Sequence, residues 1–283
     1  MKTKTIYYHD FSDNFVETKN QAKTVPKNYQ FIKKNPFARI LGTILFVILK
    51  LIAKIYACFW LKLKIVGKNK LKNYVKTTRQ GYYIYANHTL TYGDVYNPAL
   101  YNPVHPYYLC DSSNLGIPIL GPILPFVGAM PIPDSLRDKK RLFDAISVRA
   151  KQGKAIVIYP EAHLWPYYTN IRPFVSSAFV FPVRDNLPIF TATTTFSTPK
   201  KAKHGKKPRV IIYIDGPFYA KPEQNTKSEQ NAQLDQLKSP NNLSERALDK
   251  LKAASLREQA DAAMKARARL STTEYITYKK RTD

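Results

Sequence analysis

The chain has 283 residues, with 45 Lys and Arg against 20 Asp and Glu, a formal net charge of +25. At 44% hydrophobic and 13% aromatic it holds too much apolar material for a disordered basic tail, and enough length to bury a sizeable core. Its two cysteines, Cys58 and Cys110, exclude a disulfide-built module, and the surplus charge has to face nucleic acid, lipid headgroups or phosphorylated substrates.

Residues 1–35 form a polar lead-in, without the short apolar core and small-residue cleavage site of a secretory signal. Both cysteines lie in apolar or aromatic runs and read as core packing in a reducing compartment. Pro36 to Trp60 is the most hydrophobic stretch, interrupted by Arg39, Lys50 and Lys54. As a helix it places Lys50 and Lys54 on one face and Ile44, Leu45, Ile48, Leu51, Ile52 and Ile55 on the other. The expectation is an amphipathic helix lying in a membrane plane, rimmed by Lys33, Lys34, Lys54, Lys62 and Lys64. A tilted span and a buried helix are the alternatives. Segments rich in β-branched and aromatic residues then predict strands at Tyr82–Ala86, Pro106–Cys110, Ala155–Tyr159, Pro188–Thr195 and Arg209–Ile214. Between the second and third of them, Ser135 to Gly153 has a helical apolar stripe, a Ser135/Asp138 cap and a terminating Gly153. Strands alternating with helices imply an α/β fold with a mixed, largely parallel sheet flanked by helices. After Pro217 a polar linker leads to a charged helix from about Leu243 to Leu270, whose weak apolar side is Leu248, Leu251, Ala254 and Leu256. The expected organisation is a lead-in (1–35), a membrane-associating helix (36–64), a catalytic domain (65–218), and a linker with an accessory helix (219–283).

Two clusters carry chemistry. Ala86-Asn87-His88 leaves the first of these strands, and Asp94 follows after Gly93. A carboxylate beside an imidazole fixes its tautomer and frees the other ring nitrogen to take a proton from a hydroxyl. Six residues on a regular helix set two side chains about 240° apart, so His88 and Asp94 meet only if the chain turns between them, a freedom expected of Gly93. Asn97-Pro98 is the expected cap and first residue of the following helix, leaving Asp94 less explained by capping. The second cluster, Tyr159-Pro160-Glu161-Ala162-His163, leaves the third of these strands and is followed by Arg172. Other motif classes are absent: there is no serine-hydrolase elbow, phosphate loop or nucleic-acid motif. No close pair among His88, His105, His163 and Glu161 announces a metal site.

At these residues the chain resembles the lysophospholipid acyltransferases, the 1-acyl-glycerol-3-phosphate O-acyltransferase family. That family shows Asn-His, four residues and Asp after a strand, then Phe-Pro-Glu-Gly-Thr-Arg after a later strand, then an apolar strand opened by Pro. The matching residues are Asn87-His88 with Asp94, Tyr159-Pro160-Glu161, and Leu187-Pro188-Ile189, with roughly 70 residues between the first two motifs. The resemblance covers about Ile65 to Asp215. It departs from the pattern in having five residues between His88 and Asp94, and Ala162-His163-Leu164 in place of Gly-Thr-Arg. The Arg usual between the motifs is also missing near Gly128 to Asp134.

The resemblance implies that His88 is a general base oriented by Asp94. It also implies an acceptor site lined by Asn87, Glu161, His163 and Arg172, with Arg172 ahead of Arg137 as the reader of an anionic headgroup. The implied substrates are a lysophospholipid acceptor and a donor, acyl-CoA or acyl carrier protein, with no free-standing cofactor and no nucleic acid. The implied location is the cytoplasmic face of the cell membrane; the alternatives are the same chemistry on another lysolipid or a glycolipid, and a non-catalytic basic protein that binds a membrane or nucleic acid through charge.

Overall fold

A computed structural model describes residues 4–16, 24–91, 93–198, 207–221 and 244–281. The polar linker expected after Pro217 lies, from 222 to 243, outside the described residues. Seven strands form one sheet: β2 (Lys64–Val66), β3 (Tyr82–Ala86), β4 (Pro106–Asp111), β5 (Ala129–Ile132), β6 (Ala155–Ile158), β7 (Ile189–Ser197) and β8 (Arg209–Phe218). Their order is β2-β8-β7-β3-β6-β4-β5; β7, β3, β6, β4 and β5 run parallel, while β8 is antiparallel to β7 and parallel to β2. This is the mixed, largely parallel α/β sheet the sequence predicts.

The central strand β3 shows why these residues form this layer. Tyr82, Ile84 and Ala86 enter one core, with Leu71 and Tyr74 of α2 (Lys68–Thr78) and Tyr101 of α3 (Gly93–Tyr101). Tyr83 and Tyr85 enter the other, with Leu142 and Ile146 of α5 (Leu136–Lys151) and Phe181 of α6 (Val180–Asp185). Period-two alternation therefore feeds two apolar layers at once. Buried tyrosines need partners for their hydroxyls. Tyr82 donates to Asn102 Oδ1 at 2.9 Å, Tyr85 to the Ala178 carbonyl at 2.7 Å, and Tyr83 to Asp185. At the start of α5, the Ser135 hydroxyl accepts from the Asp138 N–H as expected, and Gly153 lies at φ +73° just past the helix end.

Two elements differ from expectation for identifiable reasons. The edge strand β5 contains Pro131, which an edge tolerates because one side of the strand has no ladder to feed. The C-terminal helix α7 (Glu245–Ala268) does not dock through Leu248 and Leu251. Its buried stripe is Leu256, Ala260, Met264 and Ala268, four apart, a row of alternating large and small side chains that packs the helix against β7. Outside the main sheet, β1 (Lys4–Tyr8) pairs in parallel with β9 (Ile276–Lys280).

Helix α1 (Pro36–Tyr56) continues through a π turn at Ala57–Leu61, and this segment is long and apolar enough to cross a membrane. Its buried residues are few, Gly42, Ala53, Ala57 and Leu61, and all but the last are small. A Cβ on Gly42 would lie 3.0 Å from the Phe126 carbonyl oxygen. Phe37, Ile40, Ile44, Val47, Ile48, Leu51, Ile52 and Ile55 are exposed on the opposite side. Arg39, Thr43 and Lys54 are exposed along one edge, beside a half-buried Lys50. The helix thus has three sides where two were expected: apolar, polar and docked. Cys58, expected in the core, is exposed on the π turn, while Cys110 is half-buried.

One polar cluster ties three elements together. Asp215 on β8 accepts from Arg267 Nε at 2.7 Å and Nη2 at 2.8 Å, and from Lys70 of α2 at 2.8 Å. The Arg267 hydrogen bonds lead in holding its carboxyl below the usual range, with Lys70 adding to them. Because the folded state depresses this group, its stabilisation is present above the unfolded carboxyl value and is lost as pH falls through the folded one. The melting temperature of Asp215→Asn is expected to lie below wild type at pH 7, with the gap closing as pH falls below about 4. A gap that stays constant down to pH 3 contradicts the assignment.

Candidate active site

His88 and Glu161 lie at the carboxyl ends of the adjacent parallel strands β3 and β6, where open α/β sheets place their chemistry. Immediately after β3, Asn87 turns its amide onto β7: Nδ2 donates to the Thr194 carbonyl at 3.0 Å, and Oδ1 accepts the Thr194 N–H at 2.7 Å. This side chain continues the ladder by one residue. Asn87 is 2% exposed, so the residue expected to line the acceptor site is instead taken up in anchoring the strand end beneath His88.

His88 and Asp94 do meet. Nδ1 of His88 lies 2.8 Å from Oδ2 of Asp94, and the same oxygen accepts the N–H groups of Thr89 and Leu90, each at 2.9 Å. Asp94 stands in the first turn of α3, where the helix dipole favours a negative charge. The helix starts at Gly93, so Asn97-Pro98 lies inside it rather than at its cap. Gly93 is required by space and not by backbone freedom: its φ is outside the left-handed region, and a Cβ would meet Asn97 Nδ2 and Leu90 Cδ1 at 2.8 Å.

Pro98 has no N–H for the Asp94 carbonyl, the acceptor four residues before it in the helix. The Tyr159 hydroxyl takes that place, donating to the Asp94 carbonyl at 2.5 Å. Its ring stacks on His88, with centroids 4.5 Å apart and planes 27° apart. Burial above all, with Asp94 nearby, pushes the Tyr159 hydroxyl well above its ordinary range, which keeps it a donor. Sequence reading did not single out Tyr159. The available signals were its place in the second motif and the interior proline it compensates.

The second motif forms a buried ion pair. Glu161 Oε2 accepts Arg172 Nη2 at 2.8 Å and the His88 N–H at 3.2 Å, and Oε1 accepts the Arg172 N–H at 3.1 Å. Arg172 also donates to the His163 carbonyl, and its guanidinium lies 4.9 Å from the Trp165 ring centroid. Burial pushes the Glu161 carboxyl up, against the pull of Arg172 and of the two N–H groups. Arg172 is 1% exposed, so the guanidinium expected to read an anionic headgroup is turned inward, onto Glu161. His163 joins this arrangement through its backbone. Arg137 is exposed at the start of α5, beyond β5; three strand spacings, about 14 Å, separate β5 from β3.

Ala162 has φ +64°, a left-handed conformation that costs a residue with a Cβ about 1–2 kcal/mol relative to glycine. It occupies the place of the family's Gly in Pro-Glu-Gly.

No protein-family model and no curated protein matches the sequence. Among solved structures, the 1-acyl-sn-glycerophosphate acyltransferase PlsC from Thermotoga maritima is similar at a TM-score of 0.53 and 13% identity, over 84% of this chain and 83% of that one. The chain therefore has the PlsC-type fold, a mostly parallel sheet flanked by helices with one apolar N-terminal helix.

Arg172→Met separates a buried brace from a surface anion reader. Stranding Glu161 is expected to cost about 3–5 kcal/mol, lowering the melting temperature by about 10 °C. A variant with unchanged melting temperature would return Arg172 to the role of a headgroup reader.

Proposed function

We propose that this protein is an O-acyltransferase that moves a fatty acyl group from a thioester, acyl-CoA or acyl carrier protein, to the hydroxyl of a lysophospholipid. The representative acceptor is 1-acyl-glycerol-3-phosphate, giving phosphatidic acid. The observation that carries this reading is the His88–Asp94 contact at 2.8 Å, on a PlsC-type fold and at the strand end where the resembling motif stands.

Asp94 Oδ2 binds the proton on Nδ1, so Nε2 is the nitrogen that accepts the acceptor's hydroxyl proton. The deprotonating oxygen attacks the thioester carbonyl, the C–S bond breaks, and the proton on Nε2 passes to the departing thiolate. His88 ends neutral and no acyl-enzyme forms. The N–H groups of Thr89 and Leu90 hold Asp94 Oδ2 in place while the imidazole carries its transient charge. Glu161 grips the His88 backbone, which makes it a positioning group in this mechanism. His88→Ala is expected to lower acyl transfer by about 10²–10⁴-fold with the melting temperature retained. Asp94→Asn should lose most of the activity through mis-orientation of the ring. Full turnover by His88→Ala would end this reading.

A second reading keeps the chemistry and changes the acceptor to another lysolipid or a glycolipid. The inward turn of Arg172 and the absence of the family's Gly-Thr-Arg favour it. Transfer of labelled acyl groups to a panel of lysolipids with phosphate, zwitterionic and sugar headgroups decides between the two.

The site works at the cytoplasmic face of an anionic membrane, on which α1 lies flat. Its docked side meets the catalytic domain along most of its length: Gly42 at Phe126, Phe46 at His105 with centroids 4.0 Å apart, and Tyr56 at Tyr96 with centroids 5.6 Å apart. A helix so attached cannot span hydrocarbon without carrying the domain in with it, whereas its exposed apolar side can enter one leaflet. Replacing Ile44, Ile48 and Ile55 with Gln leaves the docked side untouched and is expected to abolish sedimentation with anionic liposomes. Unchanged binding would refute the membrane role of this face.

A further inference from the structure

Both hydrogen-bonding groups of the His88 backbone are held by the loop that follows β6. Its N–H goes to Glu161, and its carbonyl accepts the Trp165 N–H at 3.1 Å; the next carbonyl, of Thr89, accepts the Tyr167 N–H at 2.9 Å. The orientation of His88 is therefore only as firm as residues 161–172. That loop contains no helix or strand of its own, so something else must stiffen it.

The stiffening comes from segments far away in sequence. Trp165 is fully buried, with the Arg172 guanidinium over its ring and the aromatic residues of the β1–β9 unit packed around it. Tyr278 on β9 stacks on Trp165 with centroids 5.0 Å apart and planes 14° apart, and its hydroxyl donates to the Pro166 carbonyl at 2.8 Å. Tyr8 on β1 meets the ring at 4.8 Å, Phe15 meets it at 5.1 Å, and the indole N–H donates to the Asp13 carbonyl at 2.8 Å. Neither β1 nor β9 belongs to the main sheet, and they pair in register from Lys4↔Ile276 to Tyr8↔Lys280. A freestanding two-stranded unit is marginal in water, so this one depends on the aromatic contact it makes.

We propose that the β1–β9 unit is a clasp that holds the 161–172 loop through Trp165, which makes Trp165 and Tyr278 positioning residues for His88. Neither touches the reacting atoms. Both act through two backbone hydrogen bonds, from the N–H groups of Trp165 and Tyr167, and through Arg172 on Glu161. The polar lead-in and the far C-terminal strand thereby gain a role in the site. The kinetic part of this inference rests on the acyltransferase reading, whereas its structural part does not.

The test uses the full-length protein and two variants that weaken the clasp from opposite strands, Tyr278→Ala and Tyr8→Ala, with Tyr278→Phe as the conservative partner. Amide hydrogen exchange in residues 161–172 is expected to quicken by about tenfold or more in both alanine variants, with exchange in Tyr82–Ala86 unchanged, which marks a local opening. In acyl transfer, kcat is expected to fall about 10–100-fold with KM within about twofold, because a loosened base is misplaced while substrate binding persists. Tyr278→Phe, which keeps the stacked ring, should recover most of kcat. A lowered melting temperature with loop exchange and kcat at wild-type values would overturn the proposal, since the clasp would then be stabilising and nothing more. If one alanine variant does not fold, the other carries the same test. A wild-type protein that transfers no acyl group to any acceptor removes the acyltransferase reading and leaves the exchange comparison to judge the clasp.

Discussion

A carboxylate with almost no access to water stands next to the strand that carries the imidazole, and the site depends on how it is compensated. Buried alone, Glu161 would take up a proton or unfold its surroundings. It is instead met by the Arg172 guanidinium, the Arg172 N–H and the His88 N–H. One of those donors belongs to the loop that carries His88, so satisfying the charge and placing His88 are the same event. The pair contributes little net stability in the usual accounting of buried ions, because desolvation offsets attraction. Its value here is geometric: it joins the exits of β3 and β6 at a distance set by hydrogen bonds.

A second coupling runs through the oxygen of a broken helical bond. A proline inside α3 would ordinarily leave a buried carbonyl without a donor, at a cost of about 1–3 kcal/mol. The Tyr159 hydroxyl removes that cost, and in doing so lays its ring along the His88 imidazole. Tyr159 immediately precedes the Pro160-Glu161 pair, so the second motif reaches the first twice, through a phenol to Asp94 and through a carboxylate to His88. Loss of either contact frees the His88–Asp94 pair on one side only, and the other contact still restrains it.

The sheet and the His–Asp pair were legible in the sequence because they depend on local signals. Each of the five expected strands is an apolar run bounded by turn residues, and all five are present. Edge strands β2 and β5 were not legible, one having three residues and the other an internal proline. The β1–β9 pairing was hidden for a different reason. Its strands are half polar, lie at opposite ends of the chain and bury few side chains, Ile276 fully and Tyr8 and Tyr278 in part, so no window of sequence contains both halves of the pattern. Asn87, Glu161 and Arg172 were found as residues but not as roles. The sequence shows an Arg that follows Glu161 outside the motif, and only the fold shows that this Arg points back at it.

Helix α1 connects its exposed apolar side to the candidate site by a short path. Tyr56, near its end, meets Tyr96 edge to face, and Tyr96 lies two residues after Asp94 on α3. A helix of nine residues moves as a unit, so a displacement of α1 reaches Asp94 through one aromatic contact. At the opposite end α1 rests on Phe126, through the small gap that Gly42 provides. The docked side of α1 combines small residues, Gly42 and Ala53, which allow close approach, with Phe46 and Tyr56, which reach His105 and Tyr96, and the other large apolar residues are left for the exposed side. Anything pressed against the exposed apolar side of α1 would therefore bear on a helix that already touches α3, the helix that carries Asp94.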